Sequence, residues 1–184
     1  MSGEPRFDQL VQELAREFRT FRLVPKERSR LMRALYHLLL MRWWCPDFIE
    51  SYTTVLITVV YMPSDLIGTD TGYRSLRHER IHMRDCWRWG VLPFALSYLF
   101  VLPVGLTLRS VWEMRGYAET MRVELESTGE ISDDLLRHIE RQFTGPSYLY
   151  MCPFPGLVRR WLRRTRCRVT QEMTDGQGAK LDGE

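Results

Sequence analysis

The sequence predicts an α+β protein that is mostly helical and contains one short β-sheet. Two regular patterns in the first third of the chain support this prediction, and several later stretches add further helical patterns. Residues 51–62, "SYTTVLITVVYM", concentrate the β-branched and aromatic residues that favour strands. Apolar residues before them recur at spacings of three and four, as in an amphipathic helix: Phe7, Leu10, Val11, Leu14, Ala15 and Phe18.

Composition is that of a globular protein with a core of its own. The chain has 184 residues, of which 45% are apolar and 12% aromatic, and this argues against disorder. A net charge of +3 is too small to indicate a nucleic-acid partner. The four cysteines form no C-x-x-C pair, which disfavours a cysteine zinc finger. The N-terminus is charged and contains no apolar signal region, so we expect a cytoplasmic protein with free thiols.

The first half of the chain predicts two further helices around the strand. A helix over residues 26–44 should end at "CPDF", because Pro46 lacks a backbone donor. After the strand, "PSDLIGTDTGY" is typical of a loop. Ser75 can then cap a helix from about Leu76 to Trp87.

The second half predicts three helices and a tail. Ser110 is a candidate cap for the helix that contains "VWEMRGYAETMR", and Ser132 is a candidate cap for the next helix. An Arg-rich helix follows over residues 156–168. Residues 170–184 are rich in Gly and charge, which predicts a disordered tail.

Residues 78–82, His-Glu-Arg-Ile-His, form an H-E-x-x-H pattern on the predicted helix. Histidines four residues apart lie on one helix face, where neutral imidazoles can bind one zinc ion. Glu79, directly after the first histidine, is placed to take a proton from a zinc-bound water. The alternative is an ordinary solvated helix face, since "RHERIHMRDCWR" is mostly polar.

A catalytic zinc needs a third protein ligand and an open position, and a later helix offers two carboxylates. Glu113 lies one turn before the small Gly116, and Glu119 is the alternative. Six residues apart, the two point about 120° away from each other on a helix. We favour Glu113, because a missing side chain at Gly116 would let that helix approach the motif helix.

The combination of "HERIH" and "EMRGY" resembles the gluzincin class of zinc metallopeptidases, and more closely small zincin-like proteins of bacteria and phages. The resemblance covers residues 50–155 and implies His78, His82 and Glu113 as ligands, with Glu79 as general base. It also implies a strand before the motif helix, along which a peptide adds as a further strand. The chain departs from the pattern at Gly116, where alanine is common, and at Tyr117, where many gluzincins have aspartate.

The resemblance implies one zincin-like domain over residues 1–169. Within it we expect N-terminal helices over 5–45, a metal-site core over 50–155, and the Arg-rich helix over 156–168. The tail over 170–184 lies outside the domain.

The predicted function is that of a zinc-dependent metallopeptidase acting on a peptide or protein substrate, with Glu79 activating the zinc-bound water. Tyr117 is a candidate donor to the oxyanion of the transition state, and Tyr73 and Tyr148 are alternatives that the sequence does not separate from it. Asp85 is a candidate partner that orients a ligand histidine. The alternative is a non-enzymatic metal-binding or membrane-associated interaction protein on the same fold.

Two segments bear on membrane contact. Residues 89–108 contain no charge and are long enough to cross a bilayer. Spanning would put His82 and Glu113 on opposite sides, so we expect a buried connection or a patch on a membrane surface instead.

The Arg-rich helix is basic and amphipathic, so it is a candidate for peripheral membrane contact. The candidate residues are Arg159, Arg160, Arg163 and Arg164. The alternative is a solvated helix docked by its apolar side. We predict no specific nucleic-acid partner.

Overall fold

The computed structural model describes residues 4–38, 48–99, 108–146 and 150–181. Backbone contacts divide the chain into two compact units, Met1–Leu96 and Ser97–Glu184. The single zincin-like domain over residues 1–169 stays a prediction.

The elements of the first unit surround a small sheet. Helix α1 spans Glu4–Glu17, β1 Arg22–Pro25, α2 Arg30–Leu38, α3 Phe48–Ser51, β2 Thr54–Leu56, β3 Val59–Met62 and α4 Asp70–Trp89. Short 3-10 turns occupy Lys26–Arg28 and Ser64–Leu66. Helix α5, Val91–Leu99, begins in this unit and ends in the next. The end of the helix predicted over residues 26–44 lies outside the described residues.

The sheet has the strand order β1-β3-β2, with β1 parallel and β2 antiparallel to β3. The strand predicted over residues 51–62 is therefore a hairpin of two strands. The chain turns at Ile57, whose φ of 61° lies in the left-handed region. Strand β1 was not predicted, because four residues are too few to show alternation. The predicted class, α+β and mostly helical with a short sheet before the motif helix, is confirmed.

The core of the first unit lies between α1, β3 and α4. Four of the six apolar residues predicted to face the core are buried: Phe7, Leu10, Leu14 and Phe18. Val11 is partly buried and Ala15 is exposed. These side chains belong to one cluster with residues of β3 and α4: Val60, Met62, Leu76 and Met83. Apolar packing thus fixes α4 against the sheet on the side that meets α1.

Helix α4 begins six residues before the predicted start. The side chain of Thr69, rather than Ser75, caps it by accepting a hydrogen bond from the Gly72 N–H at 3.0 Å. Gly72 is required there, because a Cβ would lie 1.9 Å from the Leu66 carbonyl oxygen. The longer helix places residues 78–82 well inside α4, away from both of its ends.

The second unit contains three long helices: α6 over Leu108–Thr128, α7 over Asp133–Thr144 and α8 over Pro155–Leu181. Ser132 caps α7 as predicted, accepting from the Leu135 N–H at 3.2 Å. Ser110 lies inside α6 and does not cap it. Buried apolar residues of the three helices and of the segments that connect them form one cluster: Tyr117, Met121, Ile131, Leu135, Ile139, Phe143, Met151, Cys152, Val158, Leu162 and Val169.

Helix α8 continues through Leu181, so residues 170–181 are helical rather than disordered. Val169 is fully buried, and Glu172 forms an ion pair with Arg122 of α6 at 2.6 Å. These two contacts hold the first turn beyond the predicted end. Composition alone predicted a disordered tail, because it does not show that the Glu172 carboxylate reaches Arg122 on another helix.

The charge-free stretch over residues 89–108 is not one continuous described helix. It contains α5, and residues 100–107 lie outside the description. Among the described residues, each helix is too short or too polar to cross a membrane.

Candidate metal centre

Helix α4 brings His78 and His82 together. Their Nε2 atoms lie 3.1 Å apart, with ring centroids 4.9 Å apart and planes at 69°. Two ligand atoms on a tetrahedral zinc, each about 2.05 Å from the ion, are separated by about 3.3 Å. The 3.1 Å contact is a hydrogen bond between the two rings, and it is also close to the separation of two nitrogens on one tetrahedral metal ion.

The two histidines differ in their exposure to solvent. His82 is 3% exposed, whereas His78 and Glu79 are partly exposed. Glu79 is therefore in contact with solvent.

Asp85 is fully buried on the histidine side of α4, three residues after His82. Burying a carboxylate is unfavourable unless it is paired or hydrogen-bonded. A buried acid on that face is suited to fixing the orientation of an imidazole.

Cys86 lies one turn after His82 and is also buried. Burial raises the pKa of its thiol, which disfavours the thiolate that a metal would need. Cys86 is therefore a small apolar core residue.

The carboxylate candidates lie on α6 in the second unit. Both are buried, but Glu119 accepts a hydrogen bond from Arg122 at 2.6 Å, and Arg122 also binds Glu172. This ion-pair chain, which sequence reasoning did not anticipate, holds the Glu119 carboxylate to its own unit. Glu113 is buried, as His82 is in the first unit.

Tyr117 lies one turn after Glu113 on α6. It is buried, and its ring packs against Phe143 of α7 with centroids 5.6 Å apart. The ring is thus a core aromatic, and the role of its hydroxyl as an oxyanion donor stays a prediction.

Two arginines of the motif region tie α4 to α1. Arg80, on the side of α4 away from the histidines, forms ion pairs with Glu13 at 3.1 Å and Glu17 at 2.7 Å. Arg84 also binds Glu17. Burial by itself raises the pKa of Glu17, but hydrogen bonds from Arg84 and Arg80 and their charges outweigh it and lower the pKa.

Sequence reasoning missed this clamp, defined here as Glu13, Glu17, Arg80 and Arg84. A signal for it was present, since two acids four residues apart on α1 match two arginines four residues apart on α4. The clamp positions the motif helix without facing the histidines.

Comparison with protein-family models, curated proteins and solved structures found no match. The resemblance to gluzincins therefore rests on the motif residues of this chain.

Proposed function

We propose that this protein is a zinc-dependent metallopeptidase in which His78, His82 and Glu113 bind the ion. The observation that carries the proposal is the 3.1 Å separation of the two Nε2 atoms, on a helix that also presents Glu79. Two imidazoles and a carboxylate are a ligand set typical of catalytic zinc, which leaves one position open.

The second unit supports Glu113 as the third ligand. Glu119 is held by Arg122, and it points to a different side of α6.

Zinc bound at these residues would polarise a peptide carbonyl and acidify water in the site. Glu79 would take the proton from the attacking water and deliver it to the leaving amine. Asp85 would hold a ligand imidazole in the required orientation.

A peptide substrate can be bound through the sheet of the first unit. Strand β2 is one edge of that sheet, and it packs against α4. An extended peptide that paired with β2 would lie along the motif helix, with its backbone bound by hydrogen bonds.

The metal content of the purified protein tests the ligand set. We expect one zinc per chain by elemental mass spectrometry, lost in His78→Ala, His82→Ala and Glu113→Ala. Glu119→Ala is the matched control on α6 and should keep the ion. Loss of zinc in Glu119→Ala with retention in Glu113→Ala would reverse the ligand choice, and a zinc-replete wild-type chain without zinc would refute the site.

Glu79→Gln tests the catalytic role separately, because it removes the base and preserves size. The variant should keep one zinc per chain and lose hydrolysis of a quenched-fluorescence peptide library by at least about a hundredfold. Glu130→Gln, at an exposed position after α6, is the control for charge. Unchanged hydrolysis in Glu79→Gln contradicts the mechanism. A zinc-loaded wild type without peptidase activity favours the non-enzymatic metal-binding protein.

A further inference from the structure

Six arginines lie on α8, and the structure divides them into two sets of three. The paired arginines are Arg159, Arg166 and Arg168. Their partners are Glu140 at 2.9 Å, Asp133 at 2.8 Å and Glu172 at 3.8 Å, respectively. The outer arginines, Arg160, Arg163 and Arg164, form no ion pair with any residue in the described ranges.

The helical period explains this division. The buried face of α8 carries Val158, Leu162, Thr165 and Val169. At 100° per residue, the outer arginines lie on the opposite face, whereas the paired arginines lie on the flanks. Flanking side chains can reach carboxylates of α7 or the next turn of α8, but outward side chains cannot. The outer arginines therefore present their charge to whatever lies outside the unit.

Exposed apolar side chains accompany this charge at the N-terminal end of α8. Phe154 is 51% exposed and Leu157 is 40% exposed. The sequence contains no acidic residue between Glu140 and Glu172, so no nearby carboxylate in that segment offsets the charge. We call Phe154, Leu157, Arg160, Arg163 and Arg164 together the α8 surface.

We infer that the α8 surface docks on an anionic lipid bilayer. The outer arginines would bind lipid phosphates and carboxylates, while Phe154 and Leu157 enter the boundary between headgroups and acyl chains. Cationic and apolar side chains side by side match that boundary, which is itself anionic outside and apolar inside. A nucleic acid would also attract the arginines, but it offers Leu157 no apolar environment.

The structure also reduces the arginines predicted to contact a membrane from four to three. Arg159 is bound to Glu140 and lies on a flank, so it does not belong to the docking surface. This docking is independent of zinc and of peptidase activity.

Vesicle binding by the full chain tests the inference with two triple variants of equal charge. The probes are vesicles of phosphatidylcholine alone and vesicles containing phosphatidylserine, with binding measured by co-sedimentation at low salt. We expect binding only to phosphatidylserine vesicles. The outer variant R160Q/R163Q/R164Q should lose about a hundredfold in partition coefficient, whereas the control R159Q/R166Q/R168Q should lose severalfold at most.

A second pair of measurements distinguishes lipid from nucleic acid. F154S/L157S should weaken binding to phosphatidylserine vesicles at least fivefold and leave binding to a DNA duplex unchanged. Circular dichroism and thermal unfolding confirm that each variant is folded. Equal losses in the two triple variants, equal binding to both vesicles, or tighter binding to DNA than to phosphatidylserine vesicles would overturn the inference.

Discussion

Glu17→Gln removes the central charge of the clamp that connects α1 to the motif helix. The Glu17 carboxylate accepts hydrogen bonds from Arg80 at 2.8 Å and from Arg84. Arg80 lies inside the H-E-x-x-H pattern, so this substitution perturbs the motif helix without touching a ligand. It separates the contribution of the clamp from that of the apolar core beneath α4.

The exposure of the three side chains sets the expected magnitude. Arg80 is 20% exposed and Glu17 26%, so their pair is partly buried and should contribute about 1 kcal/mol. Arg84 is 51% exposed, and solvent screening limits its pair to about 0.5 kcal/mol. Glutamine keeps a neutral acceptor, so Glu17→Gln should lower the free energy of unfolding by about 1 kcal/mol at pH 7. The melting temperature should fall by about 2–4 °C for a chain of this size.

The pH dependence supplies a sharper test than the loss at neutral pH. The pKa of Glu17 is lowered in the folded chain, so its ionised form stabilises the fold above its unfolded pKa of about 4.3. This contribution disappears as pH falls through the folded pKa. Denaturant unfolding of wild type and Glu17→Gln should therefore differ by a constant amount from pH 6 to 7 and converge as pH falls through the lowered pKa of Glu17.

Asp8→Asn is the control, because Asp8 is exposed on the same helix. It should change the free energy of unfolding by less than about 0.5 kcal/mol. Zinc content should be the same in all three proteins. The role of the clamp is contradicted if Glu17→Gln has the same free energy of unfolding as the wild type at pH 7. It is also contradicted if the difference in free energy of unfolding is unchanged at acidic pH.

Two further substitutions test local geometry. Gly72→Ala should lower the free energy of unfolding by about 1–3 kcal/mol, because its Cβ would lie 1.9 Å from a backbone oxygen. Gly156→Ala meets no atom within 4 Å in the first turn of α8 and should raise it by up to about 1 kcal/mol; equal effects in thermal unfolding would contradict the steric argument. Asp85→Asn should keep one zinc per chain but weaken its affinity about 10- to 100-fold in competition with a chelating dye, and an unchanged affinity would exclude Asp85 as the orienting group.

The helices were predictable where an apolar face repeats over several turns. Helix α1 shows this, since Phe7, Leu10, Leu14 and Phe18 mark its face and all are buried. The hairpin in residues 51–62 was not predictable in the same way. A turn at Ile57 requires a positive φ, which a β-branched residue adopts rarely, and no glycine or asparagine marks it.

Helix ends depended on single contacts that a pattern does not contain. Ser75 and Thr69 are both suitable caps by residue type. Thr69 caps α4 because its hydroxyl also donates to the Leu66 carbonyl at 2.8 Å, which folds the preceding turn onto the helix. The continuation of α8 beyond residue 168 likewise involves a single contact, since Glu172 accepts a hydrogen bond from Arg122 of α6.

The candidate site also contains one feature that follows from a sequence pattern and one that depends on a single contact. The spacing of His78 and His82 sets their common face, because four residues are close to one helical turn, and the structure places both Nε2 atoms at a separation suited to one ion. A choice between Glu113 and Glu119 has no such rule behind it, since both are carboxylates on one buried helix. The structure adds that Glu119 forms an ion pair with Arg122.

The arginines of α8 are also residues of one type that the sequence does not separate and that single contacts do, in this case on a surface. A charge count over residues 159–168 gives six equivalent cations, and periodicity adds only which side of the helix is buried. Ion pairs to Glu140, Asp133 and Glu172 then offset half of these charges and select the flanks. Because the remaining three share the outward face, the charge available to a partner is concentrated rather than spread around the helix. A comparison of triple variants with equal net charge is therefore informative, since any model based on total charge predicts the same loss for both.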